Sequence, residues 1–342
     1  MLTQEENMFM ARVGPGTPMG DLMRRFWHPV LLSEELPEPD CPPKRTRILG
    51  EDLIAFRDTN GDVGLVDNYC PHRRASLFFG RNEECGLRCV YHGWKFDING
   101  DCVDMPSEPM ESNFKDKVKI KAYPAKEYGS CIWVYMGPKE LLPKLPEFEW
   151  ARVPDANRVI TRFIQHSNFM QATEGEIDSS HVSFLHSVFD LSSDYHRDMR
   201  VGDQKEGRNS VLSYKFGAPQ LTVKETDYGF TYGSRRGPEE GNYYWRVTQW
   251  MLPMFSLIPG PAWPRGGRGW VPIDDEHIIT YQYSYNAERP LTDAERTRAI
   301  NSMELEKVKY TLPDGKIIDT NRSVRAPEND YLIDREMQRT QN

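Results

Sequence analysis

Cys70-Pro71-His72 and Cys89-Val90-Tyr91-His92 set two thiols and two imidazoles in two short hooks, the second running directly into Gly93-Trp94. Such a set can hold one tetrahedral zinc. It can equally hold a [2Fe–2S] cluster with both cysteines on one iron and both histidines on the other. Zinc fingers usually pair Cys with Cys and His with His. Here each hook mixes the two, which suits a cluster gripped from two loops, each giving one ligand to each iron. Cys41, Cys85, Cys102 and Cys131 are then bystander thiols. Six cysteines in 342 residues do not suggest a disulfide scaffold, and clustered Cys and His read as metal ligands.

A second constellation lies in the segment Asn168 to His186. Asp178 and His181 are three apart and share a face if the segment is helical. His181 and His186 are five apart, so both reach one metal only where the helix loosens or ends. Two neutral imidazoles and one carboxylate on one face of Fe(II) leave positions open for O2 and form the facial triad of oxygen-activating iron enzymes. The residues alone leave open whether the carboxylate is Asp178 or a distant one. On the run Tyr243 to Trp250, alternation puts Tyr244, Arg246, Thr248 and Trp250 on one face. Arg246, with Arg236 from the preceding strand, is a candidate partner for a substrate carboxylate, a contact that a guanidinium makes in bidentate fashion. Both arginines can alternatively pair with acids on a solvated face.

The elements that must carry these residues read as follows. Thr3 and Glu6 form a capping box for a short opening helix. Asn60-Gly61 and Asn99-Gly100 mark hairpins on either side of the hooks. Cys131 to Met136 reads as a buried strand, and Pro138 to Pro154 as a linker. A helix over Asn168 to His186 is followed by strands at Val211–Phe216, Gln220–Thr226, Phe230–Arg235, Tyr243–Leu252 and His277–Tyr285. A helix from Thr292 to Val308 and another starting near Asn329 close the chain. The fold class is α+β: a small all-β domain, then antiparallel sheet covered by helices. With a formal charge of −8, the chain has no cationic excess with which to bind nucleic acid. Its longest apolar run is far shorter than a membrane span, and acidic residues near the start argue against a signal peptide, which points to the cytoplasm.

The hooks with their Gly-Trp resemble the Rieske domain of non-haem iron oxygenases. Arg73 and Arg74 follow the first hook, where Rieske proteins of cytochrome complexes carry an extra cysteine. Val13-Gly14-Pro15-Gly16, Arg24-Arg25-Phe26-Trp27, Gly175 to His181 and Asn329 to Glu336 are similar to the homo-oligomeric phthalate 4,5-dioxygenase type. The resemblance implies a [2Fe–2S] cluster on Cys70, His72, Cys89 and His92. It implies a mononuclear Fe(II) on His181, His186 and Asp330, with Asp334 the alternative carboxylate. By the same match Asp178 is not a ligand; it bridges to His92 of a neighbouring subunit and carries the electron between the two centres.

The implied organisation is an N-terminal helical segment over residues 1–27, a Rieske domain over 28–140 and a catalytic domain over 141–342 that continues past Asn342. The implied activity is cis-dihydroxylation of an aromatic carboxylic acid by O2, with phthalate, isophthalate or terephthalate as candidate substrates. Electrons come from NADH through a flavin and iron–sulfur reductase, and the subunits form head-to-tail trimers or multiples of them. A monooxygenase or O-demethylase acting on a substituted benzoate is the alternative. A bare Rieske electron carrier would leave the last 200 or so residues without a role.

Overall fold

The computed structural model describes residues 2–109, 111–185, 215–258, 263–301 and 306–339. The opening helix Gln4–Ala11 is capped by the expected reciprocal pair: Glu6 N–H donates to Thr3 Oγ1 at 3.2 Å and Thr3 N–H to Glu6 Oε2 at 2.7 Å. Among the described residues no helix is long and apolar enough to cross a membrane.

Three small antiparallel sheets follow. One holds Lys44–Ile48, Glu51–Arg57, Val63–Asp67 and Ala122–Tyr123, with its central turn on Gly61 at φ +88°. Another holds Arg81–Glu83, Gly86–Arg88, Lys95–Phe96 and Cys102–Asp104. Ile54, Phe56, Leu77, Leu87, Trp94 and Phe96 form the apolar core between these two sheets, and Cys70 and Cys89 belong to it. The third sheet, Trp27–Leu32 with Cys131–Tyr135 and Ala125–Tyr128, turns to the rest of the chain.

That remainder is built on a seven-stranded antiparallel sheet. Its strands are β1 (Arg158–Gln165), β2 (Gln220–Thr226), β3 (Gly229–Glu239), β4 (Asn242–Met251), β5 (Phe255–Ile258), β6 (Arg265–Pro272) and β7 (Ile278–Tyr285), in the order β1-β7-β6-β5-β4-β3-β2. One core joins this sheet to the third small one. Trp133 stacks on Trp150 at 6.1 Å, and Trp150 on Tyr283 at 4.8 Å. The Pro138 to Pro154 stretch is therefore packed structure rather than linker: its short helix Glu149–Arg152 buries Trp150.

Other elements depart from the sequence reading for local reasons. The site helix runs only Phe169–Ile177, because Asp178 turns extended and its Oδ1 takes the Ser180 N–H at 2.7 Å, an alternative to continuing the helix. The expected strand Val211–Phe216 falls largely outside the described residues. The helix begun by the Thr292/Glu295 capping box spans Asp293–Asn301. Val308 belongs instead to a strand, Lys307–Thr311, paired with Ile317–Ser323. The expected last helix is a 3₁₀ segment, Pro327–Leu332, in which Asn329, Asp330 and Tyr331 leave helical geometry. Asn329 folds its side chain back onto Ala326 N–H and Val324 O at 3.0 and 2.7 Å. β5 and the Gly-rich β6 had no apolar alternation to reveal them. At Gly267 a side chain would run into the Ser256 carbonyl and the Tyr283 ring, so glycine is what lets β5, β6 and β7 close up there.

Candidate redox and catalytic sites

The two hooks share one backbone design. Cys70 N–H donates to Ala75 O (2.9 Å) and Cys89 N–H to Trp94 O (2.8 Å). Arg74 N–H returns to Cys70 O (2.9 Å) and Gly93 N–H to Cys89 O (3.1 Å). The fourth residue after each cysteine is left-handed, Arg74 at φ +57° and Gly93 at φ +76°. At Gly93 a Cβ would also sit 2.6 Å from Pro106 Cγ, so glycine is needed twice over. Each hook thus points its cysteine inward and its histidine outward. Cys70 and Cys89 are buried, whereas His72 is exposed and His92 half-buried, their rings 4.3 Å apart. Trp94 stacks under His72 at 4.7 Å and 10°. Burial, with Cys89 beside it, pushes the Cys70 thiol up to about 11. Two buried thiols side by side, of which Cys70 resists ionising alone, and two imidazoles at the surface above them fit a cluster whose own charge stabilises the thiolates.

The second site is a cavity of about 420 Å³ against one face of the seven-stranded sheet. The site helix and the turn after it supply Glu176, Asp178, Ser179 and His181; β3 and β4 supply Tyr232, Arg246 and Thr248. The alternation read for β4 holds, since Arg246 and Thr248 both face the cavity. Asp178 Oδ2 stands 3.4 Å from His181 Nδ1. Among the described residues Arg246 is paired with no carboxylate, while Arg268 on β6 is held by Glu176 at 2.5 Å. Glu176 also accepts from Ser256 Oγ at 3.1 Å.

Not every sequence-read site residue converges here. His186 lies outside the described residues. Asp330 and Asp334 are exposed on the C-terminal segment, and neither is among the residues lining the cavity. Among the described residues no three His, Cys, Asp or Glu side chains surround one ion position. Arg236 is corrected: it is 1% exposed and bonded to Ser179, not presented to the cavity. His166, beside the site in sequence, packs edge-on against His277 at 4.9 Å. Sequence reasoning missed Glu176, Ser179 and Arg268. Glu176 and Ser179 flank Asp178 in the same run and were legible as neighbours, but Arg268 sits in a Gly-rich stretch with no signal of its own.

Comparison with known proteins decides the family. A Rieske [2Fe-2S] domain matches residues 26–124, and a LigXa C-terminal-like domain matches residues 134–342. The 3-chlorobenzoate-3,4-dioxygenase oxygenase subunit of Comamonas testosteroni is 40% identical over 99% of this chain and 77% of its own length. The chain belongs to the Rieske ring-hydroxylating oxygenases. The phthalate 4,5-dioxygenase oxygenase subunit of Pseudomonas putida is likewise 40% identical to this Rieske oxygenase, over 100% of the chain and 76% of that subunit. At the level of fold, dicamba monooxygenase superposes with a TM-score of 0.62 and 20% identity, covering 83% of this chain and 84% of that one. This Rieske oxygenase is thus an oxidoreductase with a [2Fe–2S] domain ahead of an antiparallel-sheet catalytic region.

Proposed function

We propose that this chain is an oxygenase subunit that cis-dihydroxylates an aromatic carboxylic acid of the benzoate or phthalate type. The observation that carries the reading is Arg246, a cation without a carboxylate partner among the described residues, set in a cavity that Tyr232, Trp270 and His181 also line. Both 40% relatives are dioxygenase subunits, which favours dihydroxylation over O-demethylation.

Cys70, His72, Cys89 and His92 would hold the cluster. His181 with His186 and Asp330 would hold a mononuclear iron, the last two by resemblance. When bound, these centres supply single electrons and an O2-binding position. The protein's own part is orientation. Asp178 Oδ2 faces His181 Nδ1 at 3.4 Å, where the carboxylate would favour a proton on Nδ1 and orient the ring that would help hold the iron. Arg246 receives the substrate carboxylate and sets which ring edge faces His181. Glu176 neutralises Arg268, so a second cation does not compete with Arg246 for the same carboxylate. We place Asp178 next to His92 of a second copy in a head-to-tail trimer or a multiple of it. The electron donor is a flavin and iron–sulfur reductase fed by NADH, in the cytoplasm.

The test is product identification from a panel of benzoates and phthalates, with NADH and a matching reductase. A cis-diol from an aromatic acid supports the reading, with Arg246→Met raising KM about 10- to 100-fold, the range for a lost charged contact, and changing kcat little. A phenol with release of formaldehyde from methoxybenzoates alone would replace it by demethylation.

A further inference from the structure

Arg236 is fully buried on β3, 1% exposed, and among the described residues no carboxylate pairs with it. A guanidinium placed so is costly unless its donors are used. Its Nη donors are used on two serines, while Nε has no hydrogen-bond partner among the described residues. Nη2 donates to Ser179 O at 2.5 Å, and Nη1 and Nη2 each lie 3.3 Å from Ser179 Oγ. Nη1 also donates to Ser234 Oγ at 3.1 Å, and Ser179 Oγ–H donates to that same oxygen at 2.8 Å. Ser179 and Ser234 are themselves 5% and 0% exposed.

Ser179 lies between Asp178, whose Oδ1 takes the Ser180 N–H, and His181, whose Nδ1 that carboxylate faces. The helix has ended at Ile177, with Asp178 N–H still donating to Glu174 O at 3.0 Å, and a 3₁₀ turn begins at His181, so Ser179 lies between two helical pieces. We propose that Arg236 is the positioning residue of the Asp178–His181 turn. Its rigid fork locks the Ser179 carbonyl and hydroxyl to the sheet, and so fixes the aim of the Asp178 carboxylate and the His181 ring. The same strand pair holds the proposed substrate cation, because Ser234 sits opposite Arg246 and Arg236 opposite Tyr244. Substrate carboxylate and His181 are thereby registered to one piece of backbone. The proposal rests on the reading of His181 as an iron ligand.

The experiment compares Arg236→Met, Arg236→Lys and His181→Ala with the parent. It measures iron per chain, Rieske absorbance, kcat, KM and product formed per O2 consumed. The expected result for Arg236→Met is a kcat lower by about 10- to 100-fold, the usual cost of losing a partner that orients a ligand, with fewer products per O2. KM should stay within about twofold, and Rieske absorbance should be unchanged. Lysine, which keeps the charge and one donor but not the fork, should recover only part of the loss. A large rise in KM at unchanged kcat would overturn the proposal in favour of a substrate contact. Parental kcat and coupling in Arg236→Met, or a lysine variant no better than methionine, would also overturn it. If His181→Ala kept its iron and its activity, the underlying ligand reading would fail instead.

Discussion

The cluster lobe and the cavity on the large sheet hold their proposed metal-binding side chains in place by opposite means. In the lobe all four proposed ligands fall within 23 consecutive residues, and each hook is fixed by its own backbone through the same pair of hydrogen bonds and the same left-handed fourth residue. In the cavity the polar groups come from a helix end and from strands up to about a hundred residues away, and long side chains tie them together: Glu176 to Arg268 and Ser256, Ser179 to Arg236 and Ser234. A site closed by local backbone can be read as a motif. A site closed by a sheet shows its chemistry only once register is known.

Asp178 stands at the point where the two regions are proposed to meet. Asp178→Asn keeps the shape but loses the charge facing His181. We expect product formation to fall about 10- to 100-fold or more, while iron content and the Rieske spectrum stay as in the parent. Loss of the mononuclear iron would make Asp178 a ligand. Turnover at the parent rate would remove it from the electron route altogether.

A smaller effect probes the seam between the regions. His28 lies on the strand Trp27–Leu32, which packs against the catalytic sheet, and is 0% exposed. Its Nε2 is 2.7 Å from Met23 O; a carbonyl only accepts, so Nε2 carries the proton and the buried Nδ1 is bare. Burial holds this imidazole at about 4, below its ordinary 6.5. Its folded value being depressed, the neutral form contributes stability that is complete above about 6.5 and is lost as pH falls towards 4. The parent should lose several degrees of Tm across that window beyond what its carboxylates account for. His28→Gln should show a shallower slope by a few degrees, whatever its absolute Tm. Identical slopes in a thermal-melt series would show that His28 does not titrate there.

Much of this architecture was legible from local chemistry. Asn60-Gly61, Asn99-Gly100 and the Thr3/Glu6 and Thr292/Glu295 boxes work over three or four residues, and the structure contains each. Strand Gln220–Thr226 kept the ends read for it. What escaped depends on distant partners. The Gly-rich β6 is a strand because β5 and β7 flank it closely, and no propensity announces that. The helix through Asp178 was read too long because the Asp-Ser-Ser run satisfies its own backbone once the turn is clamped from β3. Arg236 looked like a substrate contact because alternation says which face a side chain takes, not whether another residue already covers that face.

Two separable metal sites in one chain would show directly in its metal and sulfide content. Iron, zinc and acid-labile sulfide should be measured in the parent, in Cys89→Ser and in His181→Ala, each purified under the same iron-replete conditions. The parent should hold about three irons and about two sulfides per chain. Cys89→Ser should keep about one iron and no sulfide, and His181→Ala about two of each. Zinc in place of iron and sulfide, or a His181→Ala protein that keeps all its iron, would contradict a chain with two such sites.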